Sequence, residues 1–388
     1  MQLAITGSDM VTCLGGAAAT VEALAAGRSG LGPLRFADPK ALTVDFGFHV
    51  DDGRVDDGRV DDGRVERPHR VAGWLARCAA AAVAESGVDP ARQRVAAVVG
   101  TGLRDLRAVE RWHADGLPID PDDVHFGRAV RDAVPGLADV VTLANACAAS
   151  GHALAVASDL LALGDADAVV VAGADAMTES MLAMIGRVVD EPTDALRPFD
   201  GGRRGVLLGE GAAAVVVQPA GAVETGPRRP AARVLAVGVS CDAQHQTAPL
   251  VSGQLAAMRD AYERAGISPA DVGLVIAHGT GTALNDPTEA AALAELFAGV
   301  EPGPLVTGLK GAIGHTSGAA FLMNALVAVE AMRSGRVPPV VGLRTPMPEA
   351  AGLRLVLDEA APTDARIAQV NAFGFGGVNA VGLIEVDR

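Results

Sequence analysis

Apolar positions along the chain fall into two alternating kinds of run. Short runs rich in Val, Leu, Ile and Ala read as buried strands. In the first part these are Met1–Thr6, Val95–Gly100, Val140–Leu143, Ala168–Gly173 and Ala212–Gln218. In the second they are Val234–Ser240, Val272–Ala277, Leu305–Thr307, Leu353–Leu357, Ala368–Asn371 and Ala380–Glu385. Longer stretches with helical spacing or many small residues lie between them: Gly15–Ala26, Arg67–Glu85, Thr101–Asp115, Phe126–Val134, His152–Leu163, Val251–Ala265, Pro287–Phe297 and Ser317–Arg333. Strands that alternate with helices predict an α/β fold of mostly parallel sheets with helices on their faces.

The alternation occurs twice. Residues 219–233 hold Pro, Gly and Arg without apolar periodicity and read as a linker. The chain therefore divides into 1–218 and 234–388, either two domains or two halves sharing one core. Residues 51–65 hold three copies of Asp-Asp-Gly-Arg-Val. A five-residue period is too short for a repeat fold, and Asp-Asp-Gly is turn chemistry, so the segment reads as an exposed loop.

Composition narrows the class. Of 388 residues, 49% are hydrophobic and 20% charged, which places the chain among globular proteins. The formal net charge of −15 argues against a nucleic-acid binder and against broad attraction to anionic membranes. Cys13, Cys78, Cys147 and Cys241 show no paired spacing, which fits reduced thiols in the cytoplasm. Met1–Asp9 reads as a first strand and turn rather than a signal peptide, and no run of about 18 apolar residues predicts a transmembrane helix.

Candidate chemistry gathers at strand ends, as in an α/β active site. Val140–Leu143 leads into Ala144-Asn145-Ala146-Cys147-Ala148-Ala149-Ser150-Gly151 and a small-residue helix. A cysteine at a strand-to-helix corner faces unpaired N–H groups and the positive end of the helix dipole. Its thiol pKa is expected to fall, which would make it a better nucleophile. A lone cysteine there could equally be a buried structural residue. Three other segments bear on that choice: His278-Gly279-Thr280-Gly281-Thr282, Lys310-Gly311-Ala312-Ile313-Gly314-His315-Thr316, and Asn371-Ala372-Phe373-Gly374-Phe375-Gly376-Gly377-Val378-Asn379. Each follows an apolar run.

These four segments, in this order, resemble the β-ketoacyl-acyl carrier protein synthases of the thiolase superfamily, elongating class. Arg197-Pro198-Phe199-Asp200, Gly209-Glu210-Gly211 and Asp242-Ala243-Gln244-His245-Gln246-Thr247 extend the resemblance over nearly the whole chain. It implies a thiolase-like fold, two similar halves forming a layered αβαβα core. It also implies a free-standing enzyme that condenses an acyl-cysteine with a malonyl-type extender on a carrier protein. No metal and no cofactor of its own are implied, since the carrier's phosphopantetheine brings the substrates. Expected partners are an acyl carrier protein and a second subunit, either a copy of the chain or a chain-length-factor-like protein. Val140–Leu143 is the dimer edge in that family.

The resemblance also implies residue roles. Cys147 takes the acyl group, and its own N–H with that of Phe375 forms the oxyanion hole. His278 and His315 hold the extender carbonyl through Nε–H groups. Lys310 and Glu289 match a charged pair behind the histidines that tunes the field. The Phe375 ring matches a gate over the acyl pocket. Thr280 and Thr282 match threonines that bind the pantetheine arm, and Phe373 belongs to the substrate surface. Phe321 replaces a small residue and would fill space beside the acyl channel or alter helix packing. Arg67 and Arg70 match a carrier-docking helix, with Arg203 and Arg204 beside a second contact region. His152 and His245 read as structural hydrogen-bonders, while His49, His69, His113 and His125 show no site pattern.

Three of four alternatives differ in one residue each. A degradative thiolase needs a second cysteine near the C-terminal glycine loop, and none lies after Cys241. Initiating ketosynthases use Cys-His-Asn, where this chain has His315. A chain-length-factor-like partner lacks the nucleophile that Cys147 supplies. An acyltransferase that loads Cys147 but passes the acyl group to another acceptor would use most of the same parts.

Overall fold

The structure, a computed structural model, describes residues 1–35, 42–51, 69–186, 193–223 and 230–387. Nearly all of the Asp-Asp-Gly-Arg-Val repeat therefore lies outside the described residues, as does the middle of the expected linker. The principal strands are β1 (Leu3–Thr12), β2 (Val95–Thr101), β3 (Asp139–Ala144), β4 (Ala168–Asp175) and β5 (Gly211–Pro219). They continue with β6 (Ala232–Cys241), β7 (Leu274–Ile276), β8 (Leu305–Thr307), β9 (Arg354–Leu355), β10 (Ile367–Gly374) and β11 (Val378–Glu385). The order across the sheet is β9-β8-β7-β10-β11-β6-β1-β5-β4-β2-β3.

Two similar sub-sheets lie in that order. β3-β2-β4-β5-β1 belongs to the first part of the chain and β8-β7-β10-β11-β6 to the second, with β9 added outside β8. In each, the first three strands are parallel. The last two run antiparallel to their neighbours. The sheets are thus mixed rather than mostly parallel. The physical reason is visible at β10–β11, where the three-residue turn Phe375–Gly377 can join only antiparallel strands. The sub-sheets meet through three register pairs between β1 and β6, Leu3↔Val234 to Ile5↔Ala232.

Period-two burial sorts the strand residues into layers. The helices are α1 (Arg70–Ser86), α2 (Gly127–Ala133), α3 (Ala149–Ala162), α4 (Val251–Ala265), α5 (Asn285–Leu296) and α6 (Ala320–Ser334). Val169 and Val171 of β4 pack with Ile276, Val370 and Ala380 against Leu154 of α3 and Phe321 to Met332 of α6. Val170 and Ala172, one residue out of phase, face Leu75 of α1 and Val130 of α2. On the far side Val275 and Val381 face Met258 of α4 and Leu293 of α5. The layers therefore run helix, sheet, helix, sheet, helix. Every residue from Ala320 to Val329 is buried, so α6 is apolar on all sides and sits between the sheets. No helix among the described residues is long and apolar enough to cross a membrane.

Candidate active site

The nucleophile turn follows β3. The chain enters α3 through a single 3₁₀ turn, Ala146–Ala148, with Ala146 at φ +50°. A left-handed non-glycine residue costs about 1–3 kcal/mol and persists where the surroundings hold it. Gly100 of β2 provides the room, since a Cβ there would lie 2.4 Å from the Ser150 nitrogen at the start of α3. Cys147 is 7% exposed. Its own N–H and that of Phe375 both reach its sulfur.

The expected fall in the Cys147 pKa does not occur. Burial pushes the thiol up to about 11, and the Asp175 carboxylate adds to the rise. The Lys310 cation and the two N–H groups work against it without winning. Removing a thiolate from water outweighs the local dipoles, so Cys147 is a thiol at neutral pH.

His315 follows β8 and the short helix Lys310–Ile313. Its Nε2 lies 3.1 Å from the Cys147 sulfur. The Ser317 N–H donates to Nδ1 at 3.3 Å, which leaves the proton of the neutral ring on Nε2. The His315 backbone is strapped on both sides, donating to Leu207 O at 2.9 Å and accepting from Gly209 N at 3.0 Å. A Cβ on Gly209 would lie 2.1 Å from Ile313 O, which explains the glycine that opens Gly209-Glu210-Gly211.

His278 follows β7, with its ring 5.3 Å from that of His315 in an edge-on arrangement and 5.9 Å from Phe373. Glu289 of α5 accepts the backbone N–H of His278 at 2.7 Å, that of Gly279 at 2.8 Å, and Asn371 Nδ2 at 2.9 Å. Lys310 Nζ lies 3.3 Å from His278 Nδ1 and also donates to the His278 carbonyl. A cation at Nδ1 again leaves the ring proton on Nε2. Both histidines are held well below the usual pKa, first by burial and then by the Lys310 charge, so both rings are neutral. Burial lowers Lys310 itself to about 8, against the pull of Glu289 and Cys147. Among the described residues no ion pair joins Lys310 to Glu289; each supports His278 from its own side.

Phe375 turns its N–H toward the sulfur while its ring is 47% exposed. Gly376 and Gly377 after it hold φ of +82° and +72°, where a side chain would be strained. Phe373 is buried beside His278. Thr280 is buried, with its hydroxyl 2.9 Å from that of half-buried Thr282. Phe321 is wholly buried in the middle layer, its ring filling the space left by Gly151 of α3 and Gly382 of β11.

The arginines expected to dock a carrier fare differently. Arg67 lies outside the described residues. Arg70 is not a surface group: its side chain is 8% exposed and pairs with fully buried Glu210 at 3.3 Å, above the Trp74 ring. A buried carboxylate needs that partner, and this draws the guanidinium inward. Arg203 donates to the carbonyls of Thr282 and Asp200, each at 3.1 Å, and Arg204 is exposed beside it. His152 bonds Ala148 O at 3.1 Å through Nδ1, and His245 Nδ1 accepts two backbone N–H groups.

Three residues escaped the sequence reading. Asp286 accepts from Phe199 N at 2.7 Å, Thr280 N at 2.9 Å and Gly281 N at 3.0 Å, and so shapes the loop after His278. The signal was Asn-Asp-Pro at the head of α5. Asn371 bridges Gln369 and Glu289. Asp175 ends the otherwise apolar β4, and a carboxylate in that place was the available cue. Among the described residues no group of three or more His, Cys, Asp or Glu is placed to hold a metal ion.

Cys147 thus has one imidazole at its sulfur, a second imidazole against the first, and two backbone N–H groups directed at the sulfur. Comparison with known proteins shows the family. The β-ketoacyl synthase N-terminal domain matches residues 2–222 and the C-terminal domain matches 231–344. The chain belongs to the β-ketoacyl synthase family. The chain is 30% identical to 3-oxoacyl-[acyl-carrier-protein] synthase 2 of Coxiella burnetii over 97% of each chain. It is 36% identical to nodulation protein E of Rhizobium meliloti over 62% of this chain, spanning 60% of that relative's length. Among solved structures, the ishigamide ketosynthase/chain length factor superposes with a TM-score of 0.87 at 28% identity, covering 100% of this chain and 99% of that one. A β-ketoacyl synthase from Burkholderia phymatum STM815 gives 0.86 at 26% identity, with both chains covered in full.

Proposed function

We propose that the protein is an elongating ketosynthase that performs decarboxylative Claisen condensation in fatty-acid or polyketide biosynthesis. The observation that carries this reading is the pair of neutral Nε2–H imidazoles packed together, one of them at the Cys147 sulfur. Loading exchanges thioesters: the Cys147 sulfur bonds to the acyl carbon, and the departing carrier thiol takes the cysteine proton. A malonyl-type thioester then enters. Its carbonyl accepts from His278 and His315, so the enolate left by loss of CO2 forms in a prepared field. The enolate carbon attacks the acyl-cysteine, and the N–H groups of Cys147 and Phe375 hold the tetrahedral oxyanion. Collapse releases the β-ketoacyl carrier and a thiolate that is reprotonated. Neutral histidines suit this role, since a charged ring would tie up the extender's carboxylate.

The steps use no metal and no cofactor beyond the carrier's phosphopantetheine. Thr280, Thr282 and Phe373 line the approach for that arm in this reading, with Phe375 as its gate and Phe321 limiting the space beside the acyl chain. Lys310 and Glu289 tune His278. Residues 1–218 supply the nucleophile and residues 234–388 the histidines and glycine loop. The partners are a cytoplasmic acyl carrier protein and a second subunit, a copy of the chain or a chain-length-factor-like protein, meeting at β3. That strand is a free end of the sheet, with Val141 43% exposed. Of the arginines weighed for docking, Arg203 and Arg204 remain at the surface.

The test is intact mass after incubation with acyl carrier protein, using Cys147→Ala as control, followed by malonyl carrier protein. Acyl mass on the wild type alone, then lost to a ketoacyl product, is the expected result. Loading without condensation would favour acyl transfer to another acceptor, and no loading with any acyl group would overturn the catalytic reading.

A further inference from the structure

Asp175 is a buried carboxylate that the condensation steps do not use. It is 1% exposed at the end of β4. Both of its oxygens are occupied by donors. Oδ1 accepts from Thr101 Oγ1 at 2.7 Å and Leu103 N at 3.0 Å. Oδ2 accepts from Gly102 N at 2.8 Å and Gly318 N at 2.6 Å. Three of these donors belong to the end of β2 and the turn after it, and the fourth lies three residues past His315. The carboxylate thus joins a turn of the first half to the histidine turn of the second.

The contacts around this joint leave little freedom. Ser317 holds φ +50°, a left-handed value that a non-glycine residue rarely adopts. A Cβ on Gly318 would lie 2.5 Å from Thr101 Cα, and one on Gly102 would lie 2.9 Å from Ser317 Oγ. The same β2 turn reaches the nucleophile, because Asn145 N donates to Thr101 O at 3.2 Å. Ser317 N–H, fixed between His315 and Gly318, is the donor to His315 Nδ1.

We propose that Asp175 is a positioning residue for His315. By holding the Gly318 amide against the β2 turn, it places the Ser317 N–H that keeps the imidazole in its Nε2–H form, aimed at the reacting thioester. The titratable and charged groups around it are Cys147 on the nucleophile turn, His315 before Ser317, and Arg104 and Asp105 on the β2 turn, the last paired with His69. Burial raises Asp175 to about 6, and its four donors oppose that rise. Below that pH a proton occupies one oxygen and displaces a donor, so the joint loosens in acid.

The inference rests on the ketosynthase reading for its rate measurements but not for its spectroscopic one. Asp175→Asn retains the size and replaces one acceptor oxygen by an NH2 that faces two donors. The expected result is a loss of about 100-fold in malonyl carrier decarboxylation, with acyl loading of Cys147 changed far less. The acid limb near pH 6 in the wild-type decarboxylation profile should vanish in this variant. In 15N-histidine-labelled protein without substrate, His315 (assigned with His315→Gln) should read as Nε2–H in the wild type and as mixed tautomers in Asp175→Asn. Should Asp175→Asn not fold, Thr101→Val serves: loss of one donor should move the acid limb to higher pH. The proposal is overturned if His315 keeps its tautomer in Asp175→Asn, if loading and decarboxylation fall together, or if Thr101→Val leaves the limb in place. A wild type that neither loads nor decarboxylates would overturn the ketosynthase reading, and the tautomer result would then decide this one separately.

Discussion

The two histidine turns do the same geometric job with different supports. Each follows a parallel strand of the second half, β7 or β8, and each rests on a buried carboxylate that accepts backbone N–H groups. Under His278 that carboxylate is Glu289, only 11 residues further along the chain. Under the His315 turn it is Asp175, which reaches Gly318 across 143 residues. The partners at Nδ1 differ as well: a lysine cation for His278, a neutral backbone N–H for His315. One ring is therefore oriented by a charge that can titrate, the other by where the backbone has been put. The first device answers to pH above neutrality. The second answers to packing between the two halves and, through Asp175, to acid.

The comparison can be broken at its root by removing each ring. His278→Ala and His315→Ala should each cost about 3 kcal/mol of transition-state stabilisation, roughly 100-fold in malonyl decarboxylation by single-turnover assay. A large loss in only one would mean that the two rings do not share the extender carbonyl. Next in size is the support itself. Glu289→Gln leaves one acceptor oxygen for three donors and should lower unfolding free energy by about 2 kcal/mol, read from urea midpoints at constant slope. An unchanged midpoint would show that the turn holds without its carboxylate.

The titrating device gives a smaller and more selective effect. Lys310 loses its charge near pH 8 in the folded protein, so decarboxylation should decline as pH rises through that value. Lys310→Met should lack this alkaline limb, while Thr101→Val, acting on the other turn, should keep it. The cation also lowers the Cys147 pKa. Its loss should therefore slow alkylation of Cys147 by iodoacetamide at pH 8, measured by mass. The same group also acts on stability. The folded pKa of about 8 lies below the ordinary 10.5, so the unfolded chain binds more protons between these values. Lys310 therefore makes the wild type gain stability as pH rises through that window, and the Met variant should lack that part of the gain.

Much of this arrangement was legible in the chain. The helix Val251–Ala265 and the strand Leu305–Thr307 have the bounds that the apolar pattern predicts. The segments that hold Cys147, His278, His315 and Phe375 stood out by their places after apolar runs, because strand ends and the tight turns after them leave local signatures in Gly, Thr and small residues; the roles expected of these residues came from the family resemblance. Glu289 was expected only through the resemblance, as a partner of Lys310. What the sequence determined, then, was what depends on neighbours along the chain: the alternation of elements, the faces they bury, and the turns that carry reactive side chains.

Tertiary structure decided the rest. Whether Cys147 is a thiol or a thiolate depends on how much water the completed site excludes, and burial from both halves overrode the helix dipole. Whether Arg70 faces solvent or Glu210 depends on a partner 140 residues away. Whether Asp175 matters depends on a turn from the other half arriving within hydrogen-bonding reach. Desolvation and long-range pairing are sums over everything that packs around a group, and the packing exists only once the chain has folded.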